Sequence, residues 1–194
     1  MFKKSLIIFG LTATLTFTGC FGGGEEDVST NVPSDFKTFN AASFSISVPA
    51  AWEILEPVDF TSDIPGGTQV IVRNNVKNDV FTANANVTKE ILNSAMTSYD
   101  FGLNVMENNK KLKNYKEISR DNEYKILIGG TLVNSIMLEF EGKESEGQPT
   151  IRVVQTYAVA GADAYTVSSA YYAGPVEDLS GEIAEKIIRT FRVK

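Results

Sequence analysis

The stretch "TIRVVQTYAVAGADAYTVSSAYY", residues 150–172, decides the fold. It holds two runs rich in Val, Thr and Tyr, side chains that suit a pleated surface, parted only by Gly161-Ala162-Asp163. So short a connection fits a tight reversal and makes the runs adjacent antiparallel strands. Working outward, the polar loop "GKESEGQP" joins them to "TLVNSIMLEFEG", residues 131–142. There Leu132, Ile136, Leu138 and Phe140 fall on one side, with Asn134 interrupting that face. Three long consecutive strands joined by short polar turns form a meander.

Further strands lie on the N-terminal side. "YKEIS" leads through "RDNE" to "YKILIGG". "SFSISVP" sets Phe44, Ile46 and Val48 on one face and serines on the other, and Pro49 stops the run. "TQVIVRN" and "DVFTANANVT" flank the turn-rich "NNVKND", and Phe81, Ala83, Ala85 and Val87 alternate with polar residues in the second run. This pattern predicts a hairpin with one buried and one wet face.

Two helices complete the element order. After Pro175, the residues Val176, Leu179, Ile183, Ile187 and Phe191 recur at helical spacing. Acids open that helix, and Arg189, Arg192 and Lys194 close it in keeping with the helix dipole. The middle helix lies within "LNSAMTSYDFGLNVMENNKKL", with Tyr99, Leu103 and Met106 as its apolar stripe and Gly102 as a weak point. Strands, helix, strands, helix in that order predict an α+β sandwich, a sheet covered by helices.

With 194 residues and 43% hydrophobic content the chain suits one domain with its own core. Its 18 basic and 24 acidic residues give a net charge of -6, which excludes nucleic acid as a natural partner. One cysteine rules out an internal disulfide, and the absence of histidine removes the commonest general base and metal ligand.

The chain opens "MFKKSLIIFGLTATLTFTGC", a basic end, an uncharged run and two small residues before Cys20. This is the layout of a secretory signal, too short for a spanning helix of about 20 residues. Thr18-Gly19-Cys20 behind the apolar run resembles the lipobox of bacterial lipoproteins, with Phe17 where the usual pattern has Leu. That resemblance implies cleavage before Cys20, a diacylglycerol on its sulfur, and stable anchoring in the membrane at its extracytoplasmic face. "FGGGEEDVSTNVPSD" follows, glycines and acids that read as a tether. The expected organisation is a signal peptide over 1–19, a tether over 20–36 and a folded domain over 37–194.

The domain carries a second resemblance. "FSISVPAAWEI" resembles the entry strand and turn of PsbP-like domains, where a strand ends in Pro-x-x-Trp. The Gly-Gly strand, the hairpin with "VVQTYAV", "AYTVSSAY" and the terminal "IIRTFRV" are similar to the same superfamily, over roughly residues 38–193. The resemblance implies a three-layer α-β-α sandwich around an antiparallel sheet and a chiefly non-enzymatic role. It also implies, for a photosynthetic source, an extrinsic subunit of photosystem II. Members there are associated with calcium, manganese or chloride, through positions that involve His and acids. This chain has no His, so no metal ligand is carried over.

Chemistry-bearing candidates are few. Glu139 and Glu141, two apart on a strand, point the same way and could share a proton or hold a cation; they also read as charges that keep the adjoining loop soluble. "RDNEYK" lacks the glycine and spacing of a calcium loop and reads as turn chemistry. "IPGGT" and "IGGT" lack the Lys-Ser or Lys-Thr of a phosphate loop, and paired glycines mark a bulge or bend. Val167-Ser168-Ser169 has no Lys at a suggestive spacing to activate a serine. Trp52, Tyr157, Tyr165, Tyr171 and Tyr172 could line a ligand cleft, although inward-facing rings are more simply core. No catalytic residue, cofactor or metal site is assigned, and Cys20 stands as the lipidation site. The reading is a non-catalytic lipoprotein that binds or stabilises an envelope protein at the membrane surface. The alternative is a carrier of a small ligand or cation.

Overall fold

The computed structural model describes residues 32–60, 64–76, 80–174 and 180–194. Cys20, the signal and most of the tether lie outside them. In chain order the elements are β1 (Phe36–Asn40), β2 (Phe44–Pro49), β3 (Glu53–Leu55), a 3-10 turn (Pro57–Asp59), β4 (Thr68–Arg73), β5 (Asn84–Ile91), α1 (Ser98–Asn109), β6 (Lys113–Asp121), β7 (Lys125–Ile128), β8 (Thr131–Asn134), β9 (Met137–Lys143), β10 (Ile151–Ala160), β11 (Asp163–Tyr172), α2 (Ser180–Arg189) and β12 (Arg192–Val193).

The predicted meander is the heart of a seven-stranded antiparallel sheet, in the order β3-β4-β5-β11-β10-β9-β6. Strands β10 and β11 run in register from Ile151 opposite Tyr172 to Ala160 opposite Asp163, and Gly161 at φ +65° makes the reversal. Because side chains alternate, Val153 and Tyr157 face one way and Val154 and Ala158 the other, so both faces must be covered. Helix α1 covers the first face with Phe101 and Met106. Helix α2 covers the second with Ala184, Ile187 and Ile188. This is the expected three-layer α+β sandwich.

Its second face has an addition that the sequence reading did not hold. A five-stranded sheet, β1-β2-β12-β7-β8, shares that side with α2, and its Phe44, Ile46, Val48, Ile126 and Val193 enter the same core. The expected single strand over 131–142 is accordingly two strands, β8 in the smaller sheet and β9 in the larger. The crossing is at Ser135, whose hydroxyl donates to the Tyr157 carbonyl at 2.6 Å and whose amide donates to the Tyr124 carbonyl at 2.8 Å. Ile136, Leu138 and Phe140 are buried as expected, whereas Leu132 is 41% exposed.

Both helices differ from expectation in detail. The buried residues of α1 are Ser98, Phe101, Gly102 and Met106, while Leu103 is 36% exposed and Tyr99 is half-buried. Gly102 is the reason for this rotation: a Cβ there would stand 2.6 Å from Cδ2 of Tyr157, so only glycine lets the helix settle on that ring. The C-terminal helix stops at Arg189, and Arg192 and Lys194 do not belong to it. The Thr190 hydroxyl donates to the Ile187 carbonyl at 2.7 Å and accepts from the Ser47 amide at 2.8 Å, which turns the chain into the smaller sheet. Phe191 then packs against Phe44 and Tyr165 instead of ending a helical stripe. Val176 and Leu179 lie outside the described residues.

Candidate binding cleft

Register places the candidate acids. On the α2 face of the larger sheet Arg152 lies opposite Glu141 of β9 and Tyr171 of β11, and Glu139 sits two residues along β9. The glutamates do point the same way, with side chains only 24% and 18% exposed. A single cation, Arg152, answers them both. Nε of Arg152 donates to Oε1 of Glu141 at 3.0 Å, its Nη2 donates to the same oxygen, and its Nη1 lies 3.7 Å from Oε1 of Glu139. The Tyr171 hydroxyl donates to Oε1 of Glu139 at 2.9 Å, and the Ser119 hydroxyl to Oε2 at 3.1 Å. Both oxygens of Glu139 are therefore engaged, an arrangement that fixes the orientation of its carboxylate.

The titration of the partners follows from this geometry. Burial pushes the Tyr171 phenol up to about 12, and its bond to the negative Glu139 adds to the rise. The hydrogen bond to Glu141 raises the Arg152 guanidinium above its already high value.

Beside the network, between α2 and the sheet, lies a cleft of about 280 Å³. Met137 and Val154 give it apolar wall, while Asp121, Glu139, Glu182 and Glu185 give it acid. Much of that acid is answered locally. Glu185 pairs with Arg189 at 2.7 Å and Glu182 with Lys186 at 3.7 Å, both one helical turn on. Asp121 accepts from the Glu123 amide at 2.9 Å, the turn chemistry that "RDNE" predicts. Gly181, at the start of α2, keeps the wall thin: a Cβ there would come 3.0 Å from the Tyr171 oxygen. Among the described residues no three His, Cys, Asp or Glu side chains group closely enough to hold a metal ion.

The aromatic candidates are core. Trp52, Tyr157, Tyr165 and Tyr171 are all less than a tenth exposed, Tyr172 is half-buried, and none of them lines this cleft. Paired glycines 129 and 130, both at positive φ, make the β7–β8 reversal, the bend that paired glycines predict. What the sequence reading missed is Arg152. The signal was present: it is the only charge in β10 and faces Glu141 once the hairpin register is counted.

No family model and no curated protein matches the sequence. Solved structures do match in three dimensions. A solution structure of cyanobacterial PsbP (CyanoP) from Synechocystis is 12% identical, with 84% of this chain and 95% of that chain covered and a TM-score of 0.53. The fold is PsbP-like. A second structure with this PsbP-like arrangement is LpqN of Mycobacterium tuberculosis, described as involved in cell envelope biogenesis, at 12% identity, 82% and 90% coverage and a TM-score of 0.51. A third is the Ran-binding protein Mog1p of Saccharomyces cerevisiae, at 8% identity, 81% and 95% coverage and a TM-score of 0.51. Likeness at these identities establishes the PsbP-like fold and transfers no residue role. Among the described residues no helix is long and apolar enough to cross a membrane.

Proposed function

We propose that this chain is a non-catalytic lipoprotein, anchored through Cys20 at the extracytoplasmic face of the cell membrane, whose PsbP-like domain binds an envelope protein over the α2 face. The observation that carries the reading is the cleft. Its strongest candidates for chemistry are already engaged with one another: Glu139 with Ser119, Tyr171 and Arg152, and Glu141 with Arg152. A site whose carboxylates are held in place by fixed donors suits recognition, since groups arranged in advance need no reorganisation on binding. The likeness to LpqN supports an envelope setting, and the Ran-binding neighbour supports a binding role for the fold. The apolar run before Cys20 supports the anchor.

Metabolic labelling with a palmitate analogue tests the anchor. Wild type is expected to label and to sediment with membranes, and Cys20→Ala to do neither. An unlabelled wild-type protein would refute it. Crosslinking and pull-down from intact envelopes tests the binding role, and Glu182→Lys at the mouth of the cleft is expected to abolish the recovered complex.

A second reading, a carrier of a small ligand, is favoured by the cleft volume and by apolar wall next to acid, a combination that suits a small organic cation. It predicts a concentration-dependent rise in melting temperature across a panel of amines; no shift anywhere in the panel would exclude it.

A further inference from the structure

Among the described residues the two sheets have four edge strands, β1 and β8 in the smaller and β3 and β6 in the larger. An edge strand is a template for another strand, and proteins blunt such edges with charge, bulges or brevity. Three of these edges are blunted. Strand β6 is charged along its length, and its register against β9 shifts twice. Strand β3 has three residues, and its Glu53 is paired with Arg73 at 2.8 Å. Strand β1 carries Lys37, whose Nζ donates to the Trp52 carbonyl at 2.6 Å in the turn between β2 and β3.

Strand β8, four residues long, shares the brevity but has neither the charge nor the bulge. Thr131-Leu132-Val133-Asn134 bears no charge and no proline, and it pairs regularly with β7. The chain around it is uncharged from Ile126 to Leu138. Leu132 is 41% exposed beside its cross-strand neighbour Leu127, on the face opposite to the buried Ile126.

We infer that β8 pairs with β8 of a second copy of this chain, antiparallel across a twofold axis, fusing the two smaller sheets into one. A strand added here meets an uncharged backbone edge and the Leu127–Leu132 pair, so an uncharged edge with an exposed apolar side chain of its own matches it. Among the described residues β8 is the edge of this chain that qualifies. Charge argues the same way: a net charge of -6 sets two copies against each other over most of their surface, and an uncharged stretch is where they meet without that cost.

Symmetry narrows the register, and the exposed Leu132 selects it. A twofold axis normal to the sheet keeps the faces matched, so opposed residues must face the same way. Leu132 lies opposite its own mate, and Thr131 opposite Val133 of the other copy. The two exposed leucines cover each other. On the inner face Val133 borders an open groove of about 570 Å³ shared with Tyr99, which leaves room for the side chains that arrive there.

This inference goes beyond the binding role proposed above and does not depend on the lipid. Opposed Cα atoms in an antiparallel pair lie about 4.5–5.5 Å apart, within disulfide reach. The test is oxidative crosslinking of the full chain in a Cys20→Ser background, which removes the anchor and the native thiol together. Leu132→Cys is expected to give a disulfide-linked dimer as the main species and Val133→Cys about tenfold less, because position 133 is diagonal to its mate. Adding the exposed substitution Thr131→Glu to Leu132→Cys is expected to abolish the dimer, with circular dichroism confirming that the fold is kept. No dimer from Leu132→Cys overturns the inference. So does a dimer that survives Thr131→Glu, or one formed more readily by Val133→Cys.

Discussion

On the α1 face of the larger sheet the buried polar groups around Gln155 are neutral and close upon one another. Oε1 of Gln155 accepts from the Tyr157 hydroxyl at 2.7 Å and from Asn109 at 2.8 Å, while Nε2 of Gln155 donates to Ser168 at 2.8 Å. On the α2 face the same strands carry Arg152, Glu139 and Glu141, which are charged and between 18% and 32% exposed beside a cleft. The contrast is one of desolvation. Neutral groups that satisfy one another can be sealed under a helix at little cost, whereas an ion pair keeps its value only with some water at its edge. One face is therefore built to close and the other to stay available, which is why recognition is assigned to the second.

Variants sharpen that contrast, and the greatest effect belongs to the sealed face. Tyr157→Ala removes a fully buried ring and the hydroxyl that anchors the neutral network, and should cost about 3–5 kcal/mol in urea unfolding. Gly102→Ala should cost about 1–3 kcal/mol although alanine is the better helix former, because its methyl group meets the Tyr157 ring. A stabilised Gly102→Ala would show that α1 is not seated as described.

The open face should respond less, and through charge. Arg152→Met leaves Glu139 and Glu141 facing each other, and with about a third of the arginine side chain in water the expected loss is about 1–2 kcal/mol near pH 7. Tyr171 adds an alkaline signature. Its folded value of about 12 exceeds the unfolded value of about 10, so the folded state holds a proton that the unfolded state releases. Its contribution is complete below about pH 10 and is lost as pH rises towards about 12. A Tyr171→Phe variant should show a shallower alkaline decline than wild type in the same unfolding series. The smallest effect is a gain. The Tyr124 hydroxyl is buried with no hydrogen-bond partner among the described residues, so Tyr124→Phe should add about 1 kcal/mol and keep the ring under Arg189.

Much of the larger sheet was legible because its strands alternate cleanly and their turns are short. The smaller sheet was not, since its members are brief and distant in sequence. Strand β12 has two residues, too few for any periodicity, and it pairs with β2 and β7, which lie far earlier in the chain. Asn134 did mark a break in an apolar face, and the chain changes sheets just after it. The rotation of α1 was hidden because a glycine scores as a weak helix former, while its value here lies in what it leaves out. At the cleft, Glu139 and Glu141 were legible as a pair by spacing alone. Arg152, Tyr171 and Ser119 became visible only with the register of three strands, because side chains that meet across a sheet leave no local pattern.

A photo-crosslinking side chain can be placed at Glu182, at the mouth of the cleft on α2, and in a separate variant at Glu107 on α1. The two native side chains are 65% and 69% exposed, so accessibility does not distinguish them. After irradiation of intact envelopes, a discrete adduct from the Glu182 site and none from the Glu107 site is the predicted result. An adduct from the Glu107 site alone, or from neither, would contradict a binding face at α2.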